Sequence, residues 1–444
     1  MGVSPCRAAG RTPDREVDLK VWRELTGVAG WVALCVLVGL LVGVIAVGFS
    51  LGIEQLSLLW REPLPRHLPG SGLVWRPAVG LALLAAALVV GELLCRLDRG
   101  QVQGPACLID AARRDADPDL RAGFVSTLVA FSSLSGGASV GVFGPLVHLG
   151  GCLAALIRRI WQSLVGTHWA VLPRAVLHGA GAAAAISAVF SAPLGGVIFG
   201  HESVTGRFDR NTTGAMLASA FASYWISHQV LGVKPLFSTT VVPSLSAANL
   251  LVAAGLGVAA GLVSTLYIVW ARRMPAWAAA SGIPRRWQPL VPALLLFAVS
   301  PWLPHLLGSG TGAIGLAMAG ELAPTLLAAL LLAKLVATPV CLGFGLSGGV
   351  FGPALFLGAM LGALVGVILP GEGAATFAVL GAASCVASAV GAPVSAVVIV
   401  FELTGSYPWA VLSMISVLAS SQVARVLAGG SLFDPDPQPS PAPR

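Results

Sequence analysis

The chain alternates long uncharged stretches with short charged ones. No charged side chain occurs between Gly27 and Ile53, a run longer than the roughly 20 residues an α-helix needs to cross a bilayer. Further uncharged runs cover 122–157, 211–233, 235–271, 287–320, 335–371 and 373–401. Within them the apolar residues are continuous rather than alternating, which predicts helices and argues against a transmembrane barrel. Several runs are long enough for two segments, so the helices outnumber the runs. Ahead of the first run, "RTPDREVDLKVWREL" reads as an amphipathic surface helix over 1–24. The run itself is too long for a signal peptide, which places the N-terminus in the cytoplasm as an expectation. The closing stretch "FDPDPQPSPAPR" is proline-rich and reads as a disordered tail over 429–444.

Composition changes the picture only by confirming the solvent. Of 444 residues, 56% are hydrophobic and 10% charged, against roughly 25% charged in soluble proteins. The net charge is +7. Its arginine pairs, Arg158–Arg159, Arg272–Arg273 and Arg285–Arg286, fall at the ends of apolar runs, as the positive-inside rule requires, and nothing points to nucleic acid. Seven cysteines (Cys6, Cys35, Cys95, Cys107, Cys152, Cys341, Cys385) show no paired spacing and mostly lie in apolar runs. They read as small buried hydrophobes, with no metal site or cofactor implied.

The pentapeptide GVFGP occurs twice, at 141–145 and 349–353. Downstream of the copies come "SAPLGGVIFGHE" (191–202) and "GAPVSAVVIVFE" (391–402), with the same spacing from Pro193 to Glu202 and from Pro393 to Glu402. Two blocks in the same order mean a duplicated unit, with membrane halves at 25–233 and 234–428. Duplication in a membrane protein points to a transporter or channel with its site between the repeats. Glycines let the backbone bend, and proline fits the first turn of a helix. Each GVFGP therefore predicts a helix that begins inside the protein, with unpaired N–H groups and the positive dipole end at its start. Two such ends aimed at one point bind an anion without a lysine or arginine. A single copy could equally be a packing motif for close helix crossings. Two copies favour the anion site.

These residues resemble the CLC family of chloride channels and chloride/proton antiporters, over about 20–433. The second copy, "AKLVATPVCLGFGLSGGVFGPALFLGAMLGAL", is the stronger match. The resemblance implies an all-α polytopic membrane protein, built of two inverted-topology repeats of broken, tilted helices. It also implies a homodimer with one pore per subunit in a lipid bilayer, and a small inorganic anion such as chloride as cargo. The implied anion path is Gly141, Val142, Phe143 and Gly144, with Gly349, Val350, Phe351 and Gly352. Val102, Gln103, Gly104 and Phe433 complete it. The cytoplasmic regulatory domain pair of many relatives is not expected here.

Three positions depart from the family. Phe143 stands where a glutamate acts as gate and proton carrier. Ser203 stands where antiporters carry an inner proton-transfer glutamate. Phe433 replaces the tyrosine at the inner end of the path. In the first family motif Pro105 is kept, while the hydroxyl-bearing position falls on Val102. The expectation is an anion conduit not coupled to protons by the glutamate route. Transport of another anion, fluoride or an organic acid, or coupling through a different residue, stays open. Phe143 could close the path as a hydrophobic constriction, or could turn its positive ring edge to the anion.

Other polar residues at membrane depth are functional suspects. Glu202 and Glu402 sit at matched repeat positions and read as hydrogen-bond acceptors, with a His201–Glu202 proton site as the alternative. Lys334 reads as snorkelling or paired, with a contribution to the potential of the path as the alternative. His148 reads as a packed neutral imidazole, with pore lining as the alternative. Asp110 is expected to pair with Arg113 or Arg114. "GLSGG" (345–349) resembles the nucleophile motif of rhomboid serine proteases, but every histidine precedes Ser347. A base on a later helix is therefore missing, and the enzyme reading fails.

Overall fold

A computed structural model of the chain describes residues 13–60, 77–97, 102–165, 172–233, 242–369 and 373–434. Within them lie sixteen α-helices and no strand. The first eight are α1 (Pro13–Ser57), α2 (Pro77–Cys95), α3 (Pro105–Arg113), α4 (Leu120–Ser135), α5 (Phe143–Val165), α6 (Arg174–Phe190), α7 (Pro193–Phe199) and α8 (Arg210–Tyr224). The second eight are α9 (Ala247–Ala280), α10 (Leu290–Val299), α11 (Thr311–Met318), α12 (Pro324–Gly343), α13 (Phe351–Ile368), α14 (Gly373–Val390), α15 (Pro393–Thr404) and α16 (Tyr407–Ala428). Eight of the sixteen are long and apolar enough to cross a membrane. The surface segment expected before the first span is not separate from it, because α1 runs unbroken from Pro13 to Ser57. Residues 1–12 and most of the proline-rich tail, 435–444, lie outside the described residues.

The duplication survives in the packing. Gly150 of α5 abuts the Gly181 carbonyl of α6, and Gly358 of α13 abuts the Gly381 carbonyl of α14. A methyl group at Gly150 or Gly358 would collide with backbone oxygen, so these positions hold the helix pairs at glycine distance. The two halves run in opposite directions. Glu402, at the end of α15, accepts hydrogen bonds from the Leu194 and Gly195 amides at the start of α7, at 2.9 and 2.6 Å. Glu202, just beyond the end of α7, accepts from the Val394 and Ser395 amides at the start of α15, at 3.0 and 2.8 Å, and from Ser395 Oγ at 2.6 Å. Each carboxylate thus caps the other repeat's helix, neutralising its orphan amides and its positive dipole end. That reciprocity requires α7 and α15 to lie antiparallel.

Helix ends on one face are pinned by charge. In the loop between α3 and α4, Asp117 accepts both oxygens' worth of hydrogen bonds from Arg158 Nη2 at 2.8 and 2.7 Å, and one from Arg159 Nη2 at 3.1 Å. Burial pushes the Asp117 carboxyl up, but the Arg158 and Arg159 guanidinium groups outweigh it and hold it below the usual carboxylate range. Asp110 pairs with Arg114 at 3.0 Å. Cys35, Cys152, Cys341 and Cys385 are buried as expected, whereas Cys95 and Cys107 are exposed. An apolar run fixes membrane depth, not whether a side chain meets lipid or protein.

Candidate functional site

The two GVFGP copies meet. Gly141 and Gly349 form an antiparallel bridge, in which the Gly141 amide donates to the Gly349 carbonyl at 2.8 Å and the Gly349 amide donates back at 2.6 Å. From this bridge α5 and α13 depart with their N-termini together. The approach is close enough that a Cβ on Gly141 would lie 2.9 Å from the Gly352 amide nitrogen. A Cβ on Gly144 would lie 2.7 Å from Gly349 Cα and 3.6 Å from Pro105 Cγ, which brings the start of α3 to the same point. Only glycine permits this convergence. Each first turn carries amides that its own helix leaves unpaired, and together with the dipoles they make a positive, uncharged centre suited to an anion. Tyr267, fully buried, donates to the Val350 carbonyl at 3.3 Å and fixes the start of α13.

Phe143 fills one side of the junction. Its ring stacks on Phe190 with centroids 4.4 Å apart and meets Phe351 edge-on at 5.4 Å, while Phe190 and Phe351 lie 5.1 Å apart. All three are at least 96% buried. Phe190 was not singled out by sequence, because its counterpart in the second repeat is Val390 and the repeat carries no signal there. Beyond Phe190 and Phe351 lies a small cavity walled entirely by apolar residues, among them Leu355, Val386 and Ile399.

Residues 88–425 match the voltage gated chloride channel family. The chain belongs to that family. It is 28% identical over 319 residues to a ClcB-like chloride channel protein of Ralstonia nicotianae, covering 70% of this chain and 74% of that protein. It is 27% identical over 419 residues to the H(+)/Cl(-) exchange transporter ClcA of Cronobacter sakazakii, covering 90% of this chain and 87% of that protein. Its fold is that of CLC proteins: the crystal structure of a slow cyanobacterial Cl-/H+ antiporter superimposes with a TM-score of 0.78 at 20% identity, covering 91% of this chain and 96% of that one. With its apolar helices, this makes it an integral membrane protein.

The remaining residues singled out by sequence lie on several separate elements. Val102, Gln103 and Gly104 lead into α3, with Gly104 as its extended N-cap and Pro105 in its first turn. Phe433 is 8% exposed in the turn after α16. There Leu432 donates to the Ala389 carbonyl, and Arg272 donates to the carbonyls of Ala428 and Ser431 at 2.9 and 2.7 Å. Ser203 lies on the π-helical turn Gly200–Thr205, buried, its hydroxyl without a partner. Glu202 and His201 do not act as a pair. Glu202 is committed to α15, while His201 Nδ1 faces the Arg207 carbonyl at 2.6 Å and Nε2 faces Thr213 Oγ1 at 2.9 Å. Lys334 is fully buried in α12. It donates to the Gly308 carbonyl at 3.0 Å and lies 5.0 Å from the centroid of the Phe356 ring. No carboxylate pairs with it among the described residues.

A cavity of about 20 Å³ is lined by Gln103, Ser126, Thr127, His148, Ser347 and neighbouring glycine and proline residues. Ser126 Oγ accepts the Gln103 amide at 2.8 Å, and Ser133 Oγ accepts the Ser347 amide at 3.1 Å. Ser347 thus belongs to the junction's wall. His148 is 1% exposed; its Nε2 lies 3.5 Å from Cys152 Sγ, and its ring is also held by the Gly104 backbone.

Proposed function

We propose that the protein conducts small inorganic anions, chloride first, across a bilayer past the junction of α5 and α13. We further propose that it does so without the glutamate route for protons. The observation that carries this reading is the Gly141–Gly349 bridge, which sets two helix N-termini against each other with unpaired amides and no cation. A fixed cation at that point would hold the ion too tightly to release it. The titratable groups of a proton relay are missing at 143 and 203, where phenylalanine and serine stand. The Phe143–Phe190–Phe351 cluster serves as the gate: a dry aromatic wall that an anion passes only when the Phe143 ring leaves its stack.

The halves at 25–233 and 234–428 act as one unit, and the chain acts as a homodimer with one path per subunit. Exposed apolar side chains on α7 and α15, including Leu194 and Val394, leave that face to lipid or to a second copy. The arginine-rich helix ends favour a bacterial inner membrane with both termini on its cytoplasmic side.

The test is chloride efflux from liposomes carrying the purified protein, with external pH recorded at the same time. Efflux after addition of valinomycin with potassium, and no proton uptake, supports the reading. Stoichiometric proton uptake sinks the uncoupled part. Competition by fluoride, nitrate and an organic acid assigns the cargo.

A further inference from the structure

A cavity of about 280 Å³ lies between the last turns of α1 and the end of α6, away from the junction of α5 and α13. Its polar side chains are Ser50 and Glu54, both from α1, and the rest of its wall is apolar. We propose that this cavity binds an aliphatic primary amine in its charged form. The ammonium meets Glu54 and Ser50, and the alkyl chain lies against Ala46, Val47, Ala188 and Val189. The site is independent of the conduction reading, because its lining shares no residue with the junction.

Charge selects the head group. Glu54 falls in the last turn of α1, which ends at Ser57 and has no basic residue in that turn. The dipole there is negative, so a carboxylate is disfavoured until a cation meets it. Ala188 and Val189 lie in the last turn of α6, which ends at Phe190, and a second negative dipole end thus borders the cavity. No lysine, arginine or histidine lines it, and the Glu54 carboxylate has no hydrogen-bond or ion-pair partner among the described residues. Ser50 precedes Glu54 by four positions and shares its helix face. An anion would be repelled. A bare divalent metal ion would need about six oxygen ligands, and the wall offers two oxygen-bearing side chains.

Size and access select the tail. At the roughly 30 Å³ that one water takes up, the cavity holds about nine non-hydrogen atoms, the size of octylammonium. Leu51 and Glu54 are exposed, so the cavity opens beside α1. Glu54 also lies at the end of the apolar span Val28–Ser57. An amphiphile at that depth keeps its charge at the membrane surface and its chain in apolar surroundings.

The full chain in phosphatidylcholine nanodiscs is titrated with octylammonium chloride by calorimetry, with the heat of empty nanodiscs subtracted. One saturable site per chain is expected, with octanol about fivefold weaker and octanoate excluded. Glu54→Gln should weaken octylammonium about fivefold, to the level of octanol, and Glu54→Asp should retain most of the affinity. Glu54 is exposed, so neither change touches the core, and retention in Glu54→Asp separates lost charge from lost folding. Ser50→Phe should fill the cavity and abolish the site. Octanol binding as well as octylammonium, or an affinity unmoved by Glu54→Gln, overturns the proposal. So does the lack of saturable heat above empty nanodiscs. The readout is binding alone, so a failure of chloride conduction leaves it untouched.

Discussion

Glu202 and Glu402 each cap the first turn of the helix that leads to the other, across the interface of the two repeats. Their oxygens are engaged by backbone amides, the arrangement of a structural cap. Glu402→Gln should lower stability by about 2 kcal/mol, because an amide nitrogen then faces an N–H donor. Glu202→Gln should do the same with chloride efflux per folded protein unchanged. Thermal unfolding in detergent, followed by the fluorescence of the twelve tryptophans, measures both. A large loss of transport with unchanged melting would refute the structural role.

Phe143→Ala removes the ring that bridges Phe190 and Phe351. Efflux should rise about tenfold, the effect of lowering a barrier by about 1.4 kcal/mol, while stability falls by about 3 kcal/mol through the cavity left behind. Phe143→Glu should make efflux depend on pH, with the path most open once the carboxyl is protonated. Efflux from liposomes at pH 5 and pH 7 decides this. Unchanged flux in both variants would mean the path avoids the aromatic cluster.

Equivalent turns in the repeats differ at one residue. Ser191 follows α6 with φ of 55° and Gly391 follows α14 with φ of 78°, both left-handed. A serine there is strained by about 1 kcal/mol, and the Ser191 hydroxyl is also buried without a partner. Ser191→Gly should therefore raise the melting temperature. Gly391→Ser should lower it more than that gain, since its Cβ would lie 2.5 Å from Ser431 Oγ.

The Asp117 pin has a defined pH signature. Its carboxyl is held below the usual range in the folded protein, so its contribution is complete above the unfolded value of about 3.9. That contribution is lost only as pH falls through the lowered folded value. Asp117→Asn should reduce stability at pH 7 and flatten this acid limb, read from melting curves between about pH 2 and pH 7. An unaltered acid limb would show that other carboxylates control it.

Much of this was legible in the chain. Uncharged runs located most of the helices, though not α2, α3, α6, α7 or α16, and the paired GVFGP and Pro-to-Glu spacings identified the repeat and the junction. Sequence could not give the Phe190 ring, which has no repeat counterpart, or the Asp117 cluster, whose arginine partners lie 41 and 42 residues away. Nor could it separate His201 from Glu202. Adjacent on a π-helical turn, they point to different neighbours, one to the Arg207 carbonyl and the other across to α15. The lining of the small cavity was equally hidden, because Gln103, Ser126, His148 and Ser347 come from four separate segments.

The glycine bridge constrains how the path can work. Gly141 and Gly349 tie the two halves at the centre, and the two glutamate caps tie them again between α7 and α15. Rocking one half against the other, the usual cycle of inverted-repeat carriers, would break both sets of bonds in every turnover. A frame tied at both places leaves local side-chain movement to open the path, which the swing of the Phe143 ring proposed above would supply.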